Sequence, residues 1–208
     1  AGWVGQAPPE LLPTMLDLLR HRGPDDSGTW VDGDVALGMT RLAIIDLVTG
    51  RQPMSDEGER HWIVFNGEIY NFRALRADLE AKGHRFRTRS DTEVILRAYA
   101  EYGEACVDHL RGMFAFALWD RARSTLVLAR DRLGKKPLYY WHQGRTVLFA
   151  SEPKALLLHP AVSRTLDWEA FHHYLAFGYT PAARSIFAGI AKLPPAHTLE
   201  WSPGGRAR

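Results

Sequence analysis

Residues 65–71, FNGEIYN, place a carboxamide beside a glycine directly after the apolar run 62–65, WIVF. A side-chain amide next to an unshielded backbone N–H can donate two hydrogen bonds to an oxygen that gains negative charge during a reaction. Asn-Gly is also a common dipeptide in the tight turn of a β-hairpin. Asn66 and Gly67 are therefore candidates for an oxyanion site and equally for a turn at a strand end.

Two further features invite a chemical interpretation. HRGPDDSG, at residues 21–28, is locally explained by a helix stop followed by an Asx-type turn. Cys106 is the obvious nucleophile candidate, but its spacing places it on one helical face with Ala98 and Tyr102. Because a free cysteine behaves more often as a small buried hydrophobe than as an activated thiolate, we expect Cys106 to pack in the core.

Several common catalytic patterns are absent from the sequence. The nine histidines show neither HExxH nor a paired Cys/His spacing, and His172 and His173 would point apart on a helix. No GxSxG, GxGxxG or GxxxxGK(S/T) motif occurs, which removes the hydrolase elbow and both nucleotide-binding loops from consideration. We therefore expect neither a metal nor a bound cofactor in this segment.

The composition is that of an ordinary globular chain. Its 208 residues carry 26 Lys and Arg against 24 Asp and Glu, so nucleic acid is not an expected partner. No apolar run is long enough to span a bilayer, and the start AGWVGQAPPE lacks the features of a signal peptide, so no membrane is expected. The single cysteine, Cys106, excludes an internal disulfide and fits a reducing compartment, which predicts the cytoplasm.

Amphipathic stretches predict the helices. Apolar residues recur at helical spacing over residues 10–22, and Gly23 ends the pattern. Similar patterns cover residues 72–83 and 91–103, each closed by a glycine, and Asp91 is the expected N-cap of the second. Further helices are expected near residues 153–159 and 167–177.

Apolar and β-branched runs predict strands, and turn-like RARS, LGKK and QGR between the central four predict hairpins. The run MFAFALW, residues 113–119, is apolar at successive positions, so both of its faces must be covered. A sheet that packs on a second sheet with one face and on helices with the other meets this requirement. The predicted strands are residues 35–46, 61–65, 113–120, 125–131, 137–143 and 146–151, and a looser stretch is expected towards AHTLEW and SPGGRAR.

Seven stretches, taken in order, resemble the glutamine amidotransferase domain of asparagine synthetases and their relatives. They are HRGPDDSG, RLAIID, FNGEIYN, SDTEVIL, LRGMFAFALWD, RDRLGKKPLYY and ASEPKAL. The resemblance implies an α+β fold, a four-layer αββα sandwich of two antiparallel sheets flanked by helices, of the N-terminal-nucleophile hydrolase type. It also implies that residues 1–200 form this domain and that residues 201–208 begin a linker to an ATP-dependent synthetase domain absent from this chain.

The resemblance also implies a mechanism. An N-terminal cysteine attacks the side-chain amide of L-glutamine, Asn66 and Gly67 hold the oxyanion, and the released ammonia passes to the synthetase domain, which uses ATP and Mg²⁺. Arg41 is expected to pair with the α-carboxylate of glutamine and Asp91 with its α-ammonium. The remaining glutamine-site positions implied by the resemblance are Leu42, Ala43, Ile44, Ile45 and Glu68. A homodimer is left open.

The chain departs from the family pattern at its start. Such domains begin with Cys-Gly-Ile immediately before the stretch that matches AGWVG, whereas this chain begins at Ala1. The favoured interpretation is that the first residues are missing, because the glutamine-site residues are present. The alternative is a non-catalytic binding or scaffolding domain, as in β-lactam synthetases. Amidotransferases that make amino sugars or purine precursors are a further alternative, and the amide acceptor, whether aspartate, peptide or polysaccharide, stays open.

Overall fold

The computed structural model describes residues 1–42, 49–181 and 183–202 and the backbone of 206–207. The described strands are β1 (Gly2–Val4), β2 (Asp26–Asp32), β3 (Val35–Arg41), β4 (Met54–Ser55), β5 (His61–Ile69), β6 (Gly112–Asp120), β7 (Thr125–Arg130), β8 (Tyr139–Gln143), β9 (Thr146–Ala150), β10 (Ala191–Lys192), β11 (Thr198–Ser202) and β12 (Arg206–Ala207). The described helices are α1 (Leu11–Leu19), α2 (Phe72–Ala81), α3 (Asp91–Tyr102), α4 (Cys106–His109), α5 (Pro153–Leu156) and α6 (Trp168–Phe177).

These strands form two antiparallel sheets. The first has the order β10-β8-β9-β1-β3-β2 and the second has the order β12-β11-β7-β6-β5-β4. Helices α1 and α5 pack on the outer face of the first sheet, and α2, α3 and α4 form the layer outside the second. The predicted four-layer αββα sandwich is confirmed.

Strand β6 shows why both faces of this sandwich are apolar. Phe116 and Leu118 join the core between the second sheet and its helices, whereas Ala117 and Trp119 join the core between the two sheets. Because side chains alternate along a strand, an uninterrupted apolar run supplies both interfaces at once. The prediction that MFAFALW is covered on both faces is therefore confirmed.

The connection after β7 corrects one of the predicted hairpins. RARS joins β6 to β7 and QGR falls between β8 and β9 as hairpin turns, but the segment with LGKK crosses from the second sheet to the first. Arg130 holds this crossing together, because its guanidinium donates to the carbonyls of Gly134, Lys136 and Leu193 at 2.6, 2.7 and 2.6 Å. The turn-like composition predicted a reversal of the chain but could not show that the partner strand lies in the other layer.

Asp131 is the second organiser of this crossing and is almost fully buried. Its carboxylate accepts backbone N–H groups of Leu133, Lys135 and Lys136, each at 3.0 Å, and of Phe114 at 3.2 Å. Burial alone would raise the pKa of the Asp131 carboxyl, but the N–H groups together outweigh it and hold the pKa below its usual range. The buried carboxylate thus fixes the loop that carries Lys136.

We expect Asp131→Asn to lower the free energy of unfolding by about 3 kcal/mol, because a charged acceptor of several N–H groups is lost. Because the folded-state pKa is depressed, the contribution of Asp131 is fully present above the unfolded pKa of about 3.9 and is lost as the pH falls through the folded pKa. Urea unfolding of the two proteins between neutral and acid pH measures both effects. Asp17→Asn, at an exposed position of α1, is the matched control and should change stability little.

The helices around Cys106 differ from the prediction in detail. Helix α3 is capped by Ser90, whose side chain accepts from the Thr92 N–H, so Asp91 is its first residue rather than its cap. The helix ends at Gly103, and Cys106 begins a separate short helix rather than continuing the face of α3. Cys106 is nonetheless buried in the core beside α3, and burial raises the pKa of its thiol to about 12. The expected packing role is confirmed.

Candidate functional site

A cavity of about 200 Å³ opens just before β1, where the chain start meets the second sheet and the start of α3. Ala1 lies in its wall. The cavity is also lined by six of the residues that the sequence singled out, Arg41, Leu42, Asn66, Gly67, Glu68 and Asp91. The remaining three, Ala43, Ile44 and Ile45, lie outside the described residues.

Asn66 and Gly67 of FNGEIYN do not form a turn, which corrects one of the two local interpretations. Strand β5 runs through the first five residues of FNGEIYN and ends at Ile69, and Asn66 and Gly67 pair with Ala115 and Phe114 of β6. Asn66 shares a face of β5 with Val64, which packs between the two sheets. At Asn66 the space between the two sheets opens into the cavity. The carboxamide of Asn66 therefore lines the cavity from the side of the second sheet.

Gly67 is required by the close approach of β6. Its φ is +155°, and a Cβ at this position would collide with the carbonyl oxygen of Met113. The N–H and the C=O of its partner Phe114 are both bonded to Asp131, so Gly67 and Phe114 form the non-hydrogen-bonded kind of antiparallel pair. The Gly67 N–H therefore points away from β6, towards the open edge of β5 and the cavity.

Side chains occupy that edge on either side of Gly67. The Phe65 N–H donates to Gln52 Oε1 at 2.6 Å, and the Ile69 N–H donates to Asp91 Oδ2 at 3.1 Å. Phe65, Gly67 and Ile69 are alternate residues of β5, so their N–H groups face the same edge of the strand. The Gly67 N–H thus lies between two N–H groups whose acceptors are side chains rather than a further strand.

Gln52 is a site residue that sequence reasoning missed. Besides accepting from Phe65, its Nε2 donates to the Thr92 Oγ1 at 3.3 Å, which ties β5 to the first turn of α3. Gly28 permits this arrangement, since a Cβ there would collide with the carbonyl oxygen of Gln52. Gly28 belongs to HRGPDDSG, whose last three residues lie in β2 rather than in the expected turn. No local pattern around Gln52 indicated its role.

Asp91 places a carboxyl group on the side of the cavity formed by α3. It is almost fully buried at the first position of α3. Burial raises the pKa of its carboxyl; the backbone N–H groups of Ile69 and Thr92 lower it, and the charge of Glu68 raises it again, so that the pKa stays above its usual value. A cation placed beside Asp91 would therefore stabilise its ionised form.

Arg41 supplies the opposite charge at the end of β3, where it is also buried. Gly23 lets the preceding loop pass directly over this strand end, because a Cβ at Gly23 would collide with the backbone of Thr40 and Arg41. Arg41, Asp91 and the Asn66–Gly67 pair thus bring a guanidinium, a carboxylate, a carboxamide and an edge N–H to one cavity. This set matches a small zwitterion with a carbonyl group to be polarised.

Two further findings concern metal ions and membranes and apply to the residues that the structure describes. Among them, no group of three or more His, Cys, Asp or Glu side chains is arranged to hold a metal ion. None of the described helices is both long enough and apolar enough to cross a membrane.

Two stacked antiparallel sheets with helices on both outer faces, and a cavity beside the first strand, define an N-terminal-nucleophile hydrolase type of fold. The solved structure of glutamine phosphoribosylpyrophosphate amidotransferase from Bacillus subtilis matches with a TM-score of 0.70, at 21% identity, over 100% of this chain and 48% of that one. A family model described as a glutamine amidotransferase domain matches residues 1–208. The chain belongs to this family.

Among its relatives are two proteins of Bacillus subtilis (strain 168). Asparagine synthetase [glutamine-hydrolyzing] 3 is 46% identical over 200 residues, which cover 94% of this chain and 32% of the relative. Asparagine synthetase [glutamine-hydrolyzing] 1 is 44% identical over 196 residues, which cover 94% of this chain and 31% of the relative. The chain thus spans about a third of the length of these relatives.

Proposed function

We propose that this domain hydrolyses L-glutamine to glutamate and ammonia as the glutaminase part of an asparagine synthetase-like protein. The observation that carries the proposal is the convergence of Arg41, Asn66, Gly67 and Asp91 on the single cavity beside Ala1. Arg41, the Asn66–Gly67 pair and Asp91 are far apart in sequence, and their chemistry matches the charged ends and the amide of glutamine.

In the bound state, Arg41 pairs with the α-carboxylate of glutamine and Asp91 pairs with the α-ammonium. A guanidinium fork matches a planar carboxylate. Because burial raises the pKa of Asp91, its ionised form is stabilised by a neighbouring cation. Glu68 and Leu42 complete the wall around the substrate. The amide group then extends towards Asn66 and Gly67.

The nucleophile is a cysteine that precedes Ala1 in the longer protein. Ala1 exchanges two hydrogen bonds with Gly38 of β3, and Gly2 pairs with Leu37. If this register continued, the third residue before Ala1 would lie opposite Arg41, about 10 Å along the strand. A cysteine at that position would therefore stand at the cavity.

The reaction then follows from the groups in place. The thiolate attacks the amide carbon, the Asn66 side chain and the Gly67 N–H stabilise the oxyanion, and ammonia leaves with a proton. Water releases glutamate from the thioester. The α-amino group of that cysteine accepts the thiol proton and returns it to the departing ammonia, since a free α-amine titrates near neutrality.

The ammonia is used by a synthetase domain elsewhere in the protein, as the names of the relatives suggest. ATP and Mg²⁺ belong to that domain, and this domain itself uses no cofactor. We place the protein in the cytoplasm because Cys106, the only cysteine of residues 1–208, is buried and forms no disulfide, which suits a reducing compartment.

The test is an extension of the chain by Met-Cys-Gly-Ile ahead of Ala1, with removal of the Met. We expect this protein to form glutamate and ammonia in equal amounts, whereas a matched extension with Ala in place of the Cys should form neither. If the cysteine form binds glutamine but leaves it intact, the non-catalytic binding domain is the correct function. If it does not bind glutamine at all, both functions fail.

Glutamine binding should depend on pH through Asp91. Because the pKa of Asp91 is raised in the free domain, the carboxylate is lost at a higher pH than in an ordinary aspartate of about 3.9. Below the free pKa, the dissociation constant should rise about tenfold per pH unit, since the ammonium no longer meets an anion.

Calorimetric titration of the alanine-extended form with glutamine between neutral and acid pH measures this dependence. Asp91→Asn is the matched variant, because its amide oxygen keeps the acceptor for the Ile69 N–H. We expect it to bind weakly at every pH with no acid transition over the range in which Asp91 titrates. An unchanged transition in Asp91→Asn would assign the titration to another group.

A further inference from the structure

The edge of β5 that faces the cavity is covered by β4 for only part of its length. Met54 of β4 pairs with Ile63, and the Asp56 N–H donates to the His61 carbonyl at 3.2 Å in the same register. Alternate residues of β5 therefore turn their N–H groups towards β4. The pairing stops at Met54, although β5 runs on to Ile69.

The register shows what a longer β4 would do. Continued along β5, it would set Gln52 opposite Phe65 and Gly50 opposite Gly67. In an antiparallel ladder of this kind, the carbonyl of Gly50 would then accept the Gly67 N–H. A backbone carbonyl in that place would take the donor that the oxyanion needs.

Gln52 ends the ladder before that point. Its side-chain Oε1, rather than its backbone carbonyl, accepts the Phe65 N–H, at 2.6 Å. The backbone carbonyl of Gln52 is turned towards β2 instead, where a Cβ on Gly28 would collide with it. The main chain has therefore left the edge of β5 at Gln52, and only the side chain still reaches that edge. The Gly67 N–H is thereby kept for the cavity.

The same side chain connects β5 to α3. Gln52 Nε2 donates to Thr92 Oγ1 at 3.3 Å. The residue before Thr92 is Asp91, whose carboxylate accepts the Ile69 N–H at 3.1 Å. These contacts close a ring of hydrogen bonds between the strand and the helix, and Gly67 lies at the centre of the strand segment that the ring spans.

We propose that Gln52 is a positioning residue for the oxyanion site, which keeps the Gly67 N–H open to the cavity and fixes its direction. This inference rests on the proposed function. Gly67 has no side chain to restrict its peptide groups, and its N–H does not point to β6, so the direction of that N–H depends on how its neighbours in β5 are held. Because a shift of about 1 Å in a reacting geometry can cost about a hundredfold in rate, a looser frame around Gly67 should lower turnover.

The test uses the chain extended by Met-Cys-Gly-Ile and its matched alanine form. Gln52→Met keeps the length of the side chain and removes both of its hydrogen bonds. We expect turnover per folded molecule to fall about tenfold or more, whereas the dissociation constant for glutamine, measured by calorimetry in the alanine form, should stay within about threefold. Binding should survive because Arg41 and Asp91 still hold the charged ends of glutamine. Gln143→Met, at an exposed position at the end of β8, is the matched control and should change neither quantity.

Thr92→Val separates the two hydrogen bonds of Gln52 and decides the question if Gln52→Met does not fold. It removes the acceptor on α3 and leaves the Phe65 N–H with its partner. The bond from the backbone N–H of residue 92 to Ser90, which caps the helix, is also kept. We expect turnover to fall about threefold to fivefold, between the parent and Gln52→Met, with the dissociation constant again within about threefold.

The outcomes separate this inference from the proposed function. If the parent forms glutamate and the folded variants keep its turnover within about twofold, Gln52 does not position the oxyanion site and this inference fails alone. If Gln52→Met weakens glutamine binding as much as it lowers turnover, Gln52 acts on the bound substrate or on Asp91, and the positioning role is likewise overturned. A parent that forms no glutamate overturns the proposed function and this inference with it.

Discussion

In the chain extended by Met-Cys-Gly-Ile, Asn66→Ala is expected to lower the turnover of glutamine by about a hundredfold or more, the usual cost of one lost oxyanion donor. The KM for glutamine should change little, because the carboxamide acts mainly on charge that develops in the transition state. Steady-state kinetics with glutamate detection separates the two parameters.

The fold indicates that Asn66→Ala removes the side chain without disturbing the strand that carries it. Asn66 lies inside β5, and its backbone pairs with Ala115 whatever side chain it carries, so the variant should keep the stability of the parent. Gln143→Ala, which removes an exposed carboxamide at the end of β8, is the control and should leave turnover unchanged. If Asn66→Ala keeps turnover within about threefold of the parent, Asn66 is not an oxyanion donor.

The sequence predicted the layers of the sandwich because its strongest signal is physical. MFAFALW has no polar position, and a strand without a polar position needs cover on both sides, which only a sheet between two layers provides. Helices α2 and α3 were predicted from the same kind of signal, an apolar period closed by a glycine. A burial pattern of this kind is contained in a short stretch of sequence, but it determines which layers must pack against that stretch.

The site was harder to predict because the role of each site residue depends on which strand or loop lies next to it in the fold. FNGEIYN has the composition of a turn, yet β6 pairs with its first five residues, and Gly67 is there for the approach of Met113 rather than for a reversal. Gln52 acts on the edge of β5 from a loop with no pattern of its own. Such roles are set by contacts across the fold, and one sequence does not encode them locally.

Helix α6 marks another limit of the pattern argument. Its sequence predicted a helix correctly, but the usual assumption that the apolar side faces the core is reversed here, since Trp168 and Leu175 are exposed and Ala170 is buried. Hydrophobic period shows that a face must be covered and does not show by what.

Arg41→Met should raise the KM for glutamine about a hundredfold in the extended chain while turnover at saturation stays within a few-fold. Methionine keeps the apolar stem of the arginine in its buried position at the end of β3 and removes only the charged fork, so the α-carboxylate loses its partner. The loss is in ground-state binding, because this carboxylate is already charged before the reaction starts.

Substrate analogues turn this prediction into an assignment of both ends of glutamine. The parent should prefer glutamine over γ-aminobutyramide, which lacks only the α-carboxylate, by about a hundredfold in kcat/KM, and Arg41→Met should lose that preference. Glutaramate, which lacks only the α-ammonium, should still depend on Arg41 and should be indifferent to Asp91→Asn. Because Arg41 and Asp91 line the same cavity, each substitution should erase discrimination at one end of the substrate and leave the other intact. A variant of Arg41 that instead loses discrimination against glutaramate would reverse the proposed orientation of glutamine in the site.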